Sequence, residues 1–188
     1  MKIVSLITAR GGSKEIPMKN IVEINNKPLI WYSINASLKS QVNETWLSTD
    51  SEKIKAVALD CGSKVINRPD NISTGKSQSE EALLHFADNV DFDIIVFIQP
   101  TSPFISYKYI NQGLEKMNQY DSVFTVTKEH WLPRWDLNIN PINWNVEQRP
   151  MRQEKPATYV EAGMFYITTK KELLKSKLRY SGKIGVIE

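Results

Sequence analysis

Ala9-Arg10-Gly11-Gly12-Ser13-Lys14-Glu15-Ile16-Pro17-Met18-Lys19-Asn20 follows directly on the apolar run Ile3 to Ile7. An apolar strand that empties into a glycine-bearing, basic loop places main-chain N–H groups and cations at the carboxyl edge of a sheet, where open α/β sheets bind their ligands. Gly11 and Gly12 are free to adopt positive φ and to let the main chain approach a ligand closely. Arg10, Lys14 and Lys19 supply charge against phosphates, so the loop reads as an anion site and its ligand as a nucleotide. The familiar nucleotide signatures do not account for it. Gly75-Lys76-Ser77 matches the second half of a Walker loop, but the first glycine would have to stand where Asp70 is. A dinucleotide fingerprint is excluded as well, because the glycines are adjacent and Pro17 interrupts the loop before any helical periodicity begins.

Outward from the loop, the chain alternates. Apolar runs at Lys2 to Thr8, Thr45 to Ser48, Ser63 to Ile66, Asp93 to Gln99 and Ser122 to Val126 read as strands. Helical periodicity separates them at Pro28 to Ser40, Glu52 to Asp60, Ser79 to Asn89 and Tyr107 to Tyr120. Repeated βαβ units predict an α/β fold, a Rossmann-like, mostly parallel sheet with helices on both faces. The alternation breaks at residues 128–158, which hold Pro133, Pro141, Pro150 and Pro156 together with Trp131, Trp135 and Trp144. So much aromatic surface in an irregular stretch either packs back on the sheet or docks on a partner.

Composition narrows the classes. With 188 residues and 41% hydrophobic content the chain can bury one sizeable core and reads as a single domain over 1–188. No apolar run is long enough for a membrane span, and a start that enters a strand without a charged-then-apolar leader predicts a cytoplasmic protein. A formal charge of +3, with no stripe of Lys and Arg interleaved with aromatics, gives no support for nucleic-acid binding. Cys61 is alone, so the chain has neither an internal disulfide nor a cysteine-based zinc site.

Arg10 to Lys14, then Ile16-Pro17 and Lys19-Asn20, resemble the nucleotide loop of the acylneuraminate cytidylyltransferases, the CMP-sialic acid synthetases and their legionaminic and pseudaminic acid relatives. The resemblance continues in order through Ser48-Thr49-Asp50, Arg68-Pro69, Gln99-Pro100-Thr101-Ser102-Pro103, Arg152-Gln153 and Tyr159 to Ile167, and so spans nearly the whole chain. It implies transfer of CMP from CTP to a nine-carbon acidic sugar, with release of pyrophosphate and Mg²⁺ as cofactor. It also implies a nucleotide-diphospho-sugar transferase-like fold and a homodimer built on the 128–158 excursion.

Residue by residue, the resemblance places Arg10 and Lys19 at the triphosphate with Gly11, Gly12, Ser13 and Lys14, and assigns Asn20, Arg68 and Ser79 to the nucleotide. Ser79 has the alternative of being a helix N-cap. Gln99, Thr101, Arg152, Gln153 and Tyr166, with Phe165, are implied at the sugar, Arg152 and Gln153 across the dimer; for Tyr166 and Phe165 core packing is the alternative, since aromatics on a strand more often face the core. Two positions depart from the family pattern: Glu15 stands where glycine is usual, and Ala162 where asparagine is usual. Family members continue past a strand like Ile184 to Ile187 into an Asp-x-Asp pair that holds Mg²⁺, whereas this chain stops at Glu188. The expectation is therefore an absent metal-ligand segment, CTP binding and impaired turnover, with Asp50 and Glu161 as the nearest carboxylates to compensate. The rival expectations are a nucleotide- or sugar-binding module without catalysis, and a nucleotidyltransferase for another ulosonic acid.

Overall fold

The computed structural model describes residues 1–13 and 16–188. In chain order the elements are β1 (Ile3–Thr8), β2 (Glu23–Ile24), β3 (Lys27–Pro28), α1 (Leu29–Leu38), β4 (Glu44–Thr49), α2 (Glu52–Asp60), β5 (Lys64–Asn67) and α3 (Ser79–Asn89). They continue with β6 (Ile94–Ile98), α4 (Tyr107–Lys116), β7 (Ser122–Glu129), β8 (Arg134–Trp135), β9 (Pro141–Ile142), β10 (Thr158–Thr169), α5 (Lys170–Ser176) and β11 (Ile184–Ile187). Seven strands form one sheet in the order β11-β7-β10-β6-β1-β4-β5. β1 pairs in parallel with β4 and β6, β4 with β5, and β11 with β7, while β10 runs antiparallel to both its neighbours. The mostly parallel α/β sheet expected from the alternation is present.

Strand side chains explain the two-sided burial. Val4 and Leu6 of β1, with Ile95 and Phe97 of β6, pack against Leu83 and Phe86 of α3 and Leu173 of α5. Ile7, Ile94, Val96 and Ile98 point the other way, onto Ile30 and Ile34 of α1, Ile54 of α2 and Ile110 and Leu114 of α4. Alternate residues of a strand face opposite sides of a sheet, so a strand apolar at every position is stable only between two helical layers. Each fully buried side chain of this kind contributes about 1.5–3 kcal/mol.

The helices start where side chains can cap them. Ser51 Oγ accepts from Ile54 N at the head of α2, Ser106 Oγ from Lys108 N at α4, and Thr169 Oγ1 from Glu172 N at α5. At α3 the capping position belongs to Gln78, whose N–H donates to Glu81 Oε2 at 2.7 Å, and not to Ser79. The capping alternative for Ser79 is thereby removed.

Residues 128–158 solve part of their aromatic burden locally. β8 and β9 form a short hairpin, and Trp144 stands edge-on to Trp131 and Trp135, with ring centroids 6.2 and 5.0 Å away. Trp144 Nε1 donates to the Arg134 carbonyl. Leu137 is nonetheless fully exposed, and Ile139, Val146 and Met151 are more than half exposed.

Arg179, on the segment after α5, ties α3 to the sheet. It gives Glu80 two hydrogen bonds, 2.6 and 2.9 Å long, and lies over the rings of Phe97 and Tyr166. Burial alone would raise the Glu80 carboxyl, but the Arg179 hydrogen bonds and charge outweigh it and hold it below the ordinary glutamate value of 4.5. A carboxyl depressed on folding stabilises fully above its unfolded pKa and loses that contribution as pH falls through the folded value. Glu80→Gln is therefore expected to cost about 2 kcal/mol at pH 7. In urea midpoints the gap from wild type should narrow progressively below about pH 4.5.

Candidate active site

The carboxyl ends of β1, β4, β5 and β6 open onto one edge of the sheet, and the loops that follow them build a two-lobed cleft. The larger lobe, about 470 Å³, is lined by Thr8, Arg10, Ser13, Ile16, Lys19, Asn20, Ser79, Gln99, Pro100 and Thr101. The smaller, about 250 Å³, shares Thr8, Arg10 and Ser79 and adds Arg68, Gly75, Ser77 and Gln78. Eight residues singled out from sequence therefore meet in one place: Arg10, Ser13, Lys19, Asn20, Arg68, Ser79, Gln99 and Thr101.

The first loop is held from several sides. Ala9 N–H donates to the Ser48 carbonyl, which extends the β1–β4 pairing one residue beyond the strand. Asn20, buried on a 3₁₀ turn at Lys19–Ile21, donates to the Arg10 carbonyl at 3.0 Å, and the Arg10 guanidinium donates to the Thr74 carbonyl. Gly11 N–H donates to Asp50 Oδ1 at 2.9 Å, and Ser13 N–H to the Gly11 carbonyl. Two of the amides expected to face phosphate are thus engaged within the protein in this structure. Neither Gly11 nor Gly12 has positive φ. Space constrains only the first: a Cβ on Gly11 would lie 3.0 Å from Ser51 Cβ, whereas one on Gly12 would meet nothing within 4 Å. Lys14 and the departure at Glu15 lie outside the described residues.

Arg68 dominates the electrostatics of the smaller lobe. Its side chain is only 6% exposed, 3.8 Å from Asp50 Oδ1, and its Nε and one terminal nitrogen have no hydrogen-bond partner among the described residues. Burial pulls the guanidinium below its usual pKa; Asp50 opposes that shift and the nearby charge of Arg10 adds to it. Buried donors without acceptors are costly. Among the described residues, Arg10 and Arg68 face this lobe and Asp50 is the carboxylate paired with Arg68, which suits a ligand rich in anionic and carbonyl oxygens.

The remaining expected residues lie elsewhere. Tyr166 is 4% exposed and packs between Phe97 and Phe124, with its hydroxyl donating to Glu161 Oε2 at 2.7 Å. Burial, then that hydrogen bond, push its pKa up to about 12. Phe165 is wholly buried, and both aromatics belong to the core because β10 lies inside the sheet instead of at its rim. Arg152 and Gln153 line a separate pocket on the excursion with Trp131, Leu132 and Arg149. Sequence reasoning missed the 74–78 loop, whose Gly75-Lys76-Ser77 was the signal set aside with the Walker motif.

Both carboxylates considered for Mg²⁺ already have protein partners. Asp50 is engaged by Gly11 and sits against Arg68, and Glu161 accepts from the hydroxyls of Tyr166 and Tyr180. Among the described residues no group of three or more His, Cys, Asp or Glu side chains is placed to hold a metal ion. Both described contacts of Asp50 fall on Oδ1, and a Mg²⁺ held mainly by phosphate oxygens and water would need only one or two carboxylates.

A family model described as cytidylyltransferase matches residues 4–184. The chain belongs to the cytidylyltransferase family. It is 40% identical over 192 residues to N-acylneuraminate cytidylyltransferase A of Danio rerio, an alignment covering 96% of this chain and 44% of that protein. It is 34% identical over 189 residues to a pseudaminic acid cytidylyltransferase of Campylobacter jejuni, covering 93% of this chain and 82% of that one. The chain thus spans less than half the length of the vertebrate relative. Among solved structures, CMP:2-keto-3-deoxy-manno-octonic acid synthetase complexed with CTP superimposes with a TM-score of 0.73 at 20% identity, over 96% of this chain and 80% of that one. The 4-diphosphocytidyl-2C-methyl-D-erythritol synthase of Anaerococcus prevotii gives 0.68 at 15%, over 99% and 88%. These likenesses establish the cytidylyltransferase fold. No helix among the described residues is long and apolar enough to cross a membrane.

Gly11→Ala is expected to destabilise by about 1–3 kcal/mol, the usual cost of overpacking. Gly12→Ala should change stability by less than about 0.5 kcal/mol. Chemical denaturation of the two variants checks the contrast.

Proposed function

We propose that this cytidylyltransferase transfers CMP from CTP to a nine-carbon acidic sugar of the sialic, legionaminic or pseudaminic type and releases pyrophosphate. The observation that carries this reading is the meeting of Arg10, Lys19, Asn20, Arg68 and Ser79 with Gln99 and Thr101 in one cleft. Arg10, Lys19, Gly12 and Ser13 face the triphosphate; Asn20, Arg68 and Ser79 supply donors and acceptors for the nucleoside, where the Arg68 N–H groups that have no partner among the described residues suit a base carbonyl. Gln99 and Thr101, at the end of β6, offer neutral hydrogen bonds to the sugar. A sugar hydroxyl oxygen bonds to the α-phosphorus and gives up its proton to solvent, the bond from that phosphorus to the bridging oxygen breaks, and pyrophosphate leaves with the electron pair. What these residues supply is alignment and neutralisation of charge on the departing phosphates.

The working unit in this proposal is a cytoplasmic homodimer. The exposed Leu137, Ile139 and Val146 of the excursion give a second copy apolar surface to cover. Arg152 and Gln153, which do not reach the cleft of their own subunit, then enter the partner's. The rival reading, a module that binds nucleotide without turning it over, draws on the engaged carboxylates Asp50 and Glu161.

CTP-dependent pyrophosphate release over a panel of these acids, with and without Mg²⁺, separates the two: acid-dependent release supports the transferase, and CTP binding without release supports the module. Arg10→Ala is expected to weaken CTP binding by about 1.5–3 kcal/mol, the worth of a charge-assisted hydrogen bond. Unchanged affinity by calorimetry would exclude its phosphate role. Light scattering at micromolar protein should give the mass of a dimer, and Leu137→Asp combined with Ile139→Asp should return a monomer.

A further inference from the structure

β10 does not run smoothly past β7. Glu161 pairs with Val126 and Tyr166 with Phe124, so the four residues Ala162 to Phe165 stand opposite the single residue Thr125. A bulge of this size strips amides of their ladder partners. Thr125 replaces them: its buried hydroxyl oxygen accepts from Met164 N–H at 3.2 Å and from Phe165 N–H at 3.3 Å, and its own proton faces the Phe165 carbonyl at 3.4 Å.

The bulge has a consequence across the sheet. It presents the Met164 carbonyl to Gln99 N–H at 3.1 Å, which carries the β6–β10 pairing one residue past the end of β6. It also sets Gly163 at φ +66°, a left-handed conformation, with its α-carbon facing the Gln99 side chain. A Cβ there would lie 3.3 Å from Gln99 Oε1. The backbone of Gln99 is fixed by Met164, and its amide rests on a surface that only glycine leaves open.

We propose that Thr125 is a positioning residue for the acceptor sugar: by fastening the β10 bulge it sets where the Gln99 amide stands in the cleft. This deepens the reading above and rests on it, since it takes Gln99 to face the sugar. Thr125 itself touches no substrate. Valine has nearly the shape of threonine but cannot accept from the two amides, which would leave them unpaired and let the bulge relax.

The test is equilibrium binding to the full chain by calorimetry, with CTP first, then N-acetylneuraminate or pseudaminic acid titrated into CTP-saturated protein in EDTA so that turnover is suppressed. Thr125→Val should weaken the sugar about tenfold and leave CTP within about twofold. Thr125→Ser should retain wild-type binding, and Gln99→Ala should match Thr125→Val with no further loss in the double variant. A folded Thr125→Val protein that binds sugar like wild type, while Gln99→Ala does not, overturns the role of Thr125 alone. If Gln99→Ala also binds normally, or wild type takes neither acid, the acceptor reading of the cleft falls first. Should Thr125→Val fail to fold, Gly163→Ala decides: it displaces the Gln99 amide with Thr125 intact and must give the same selective loss of sugar, and wild-type sugar binding by it overturns the proposal.

Discussion

β1 has a hydrogen-bonded parallel neighbour on each side and a helical layer over each face, and every feature of the cleft depends on that position. Parallel pairing forces β1, β4, β5 and β6 to end at the same edge, so four loops far apart in sequence must emerge together. The glycine loop, Asp50, Arg68 and Gln99 are each the residues that follow a strand end. Their meeting is a geometric result of strand direction, and it is the reason a fold of this kind needs no dedicated cavity to gather a site.

At that edge the protein has taken on an electrostatic cost. Arg68 is almost wholly enclosed, lacks partners for two of its nitrogens among the described residues, and lies near a second cation, Arg10. Asp50 offsets part of this and at the same time holds the Gly11 amide, so one carboxylate couples the charge of the site to the conformation of the first loop. An anionic ligand would offset the charge of both arginines, which places the ligand's own charge within the stabilisation of this edge.

The opposite side of the cleft depends on the one strand that runs against the others. β10 supplies the bulge beside Gln99 and Tyr166, whose ring stacks with Phe97, Phe124 and Tyr180, and Arg179 links this stack to Glu80 at the start of α3. Ser79, the preceding residue, is thereby tied to the same body as Gln99. Wherever ligand contacts the two together, it meets a surface whose parts share a core.

The sequence by itself determined the alternation of strands and helices, because β-branched runs and 3.6-residue periodicity are local properties, and it determined the basic glycine loop and the blocks at the strand ends. Tyr166 shows where local reading stops. An aromatic in a motif can face a substrate or a core, and only the placement of β10 between β6 and β7 puts it in the core. The glycine at 11 was legible, but its cause was not: no φ requirement exists there, and the constraint is the approach of Ser51 from another loop. The enclosure of Arg68 beside Asp50, the use of Asp50 by Gly11 and the bulge opposite Thr125 were likewise decided by tertiary structure, since each is a relation between residues well apart in the chain, which strand order and register bring together.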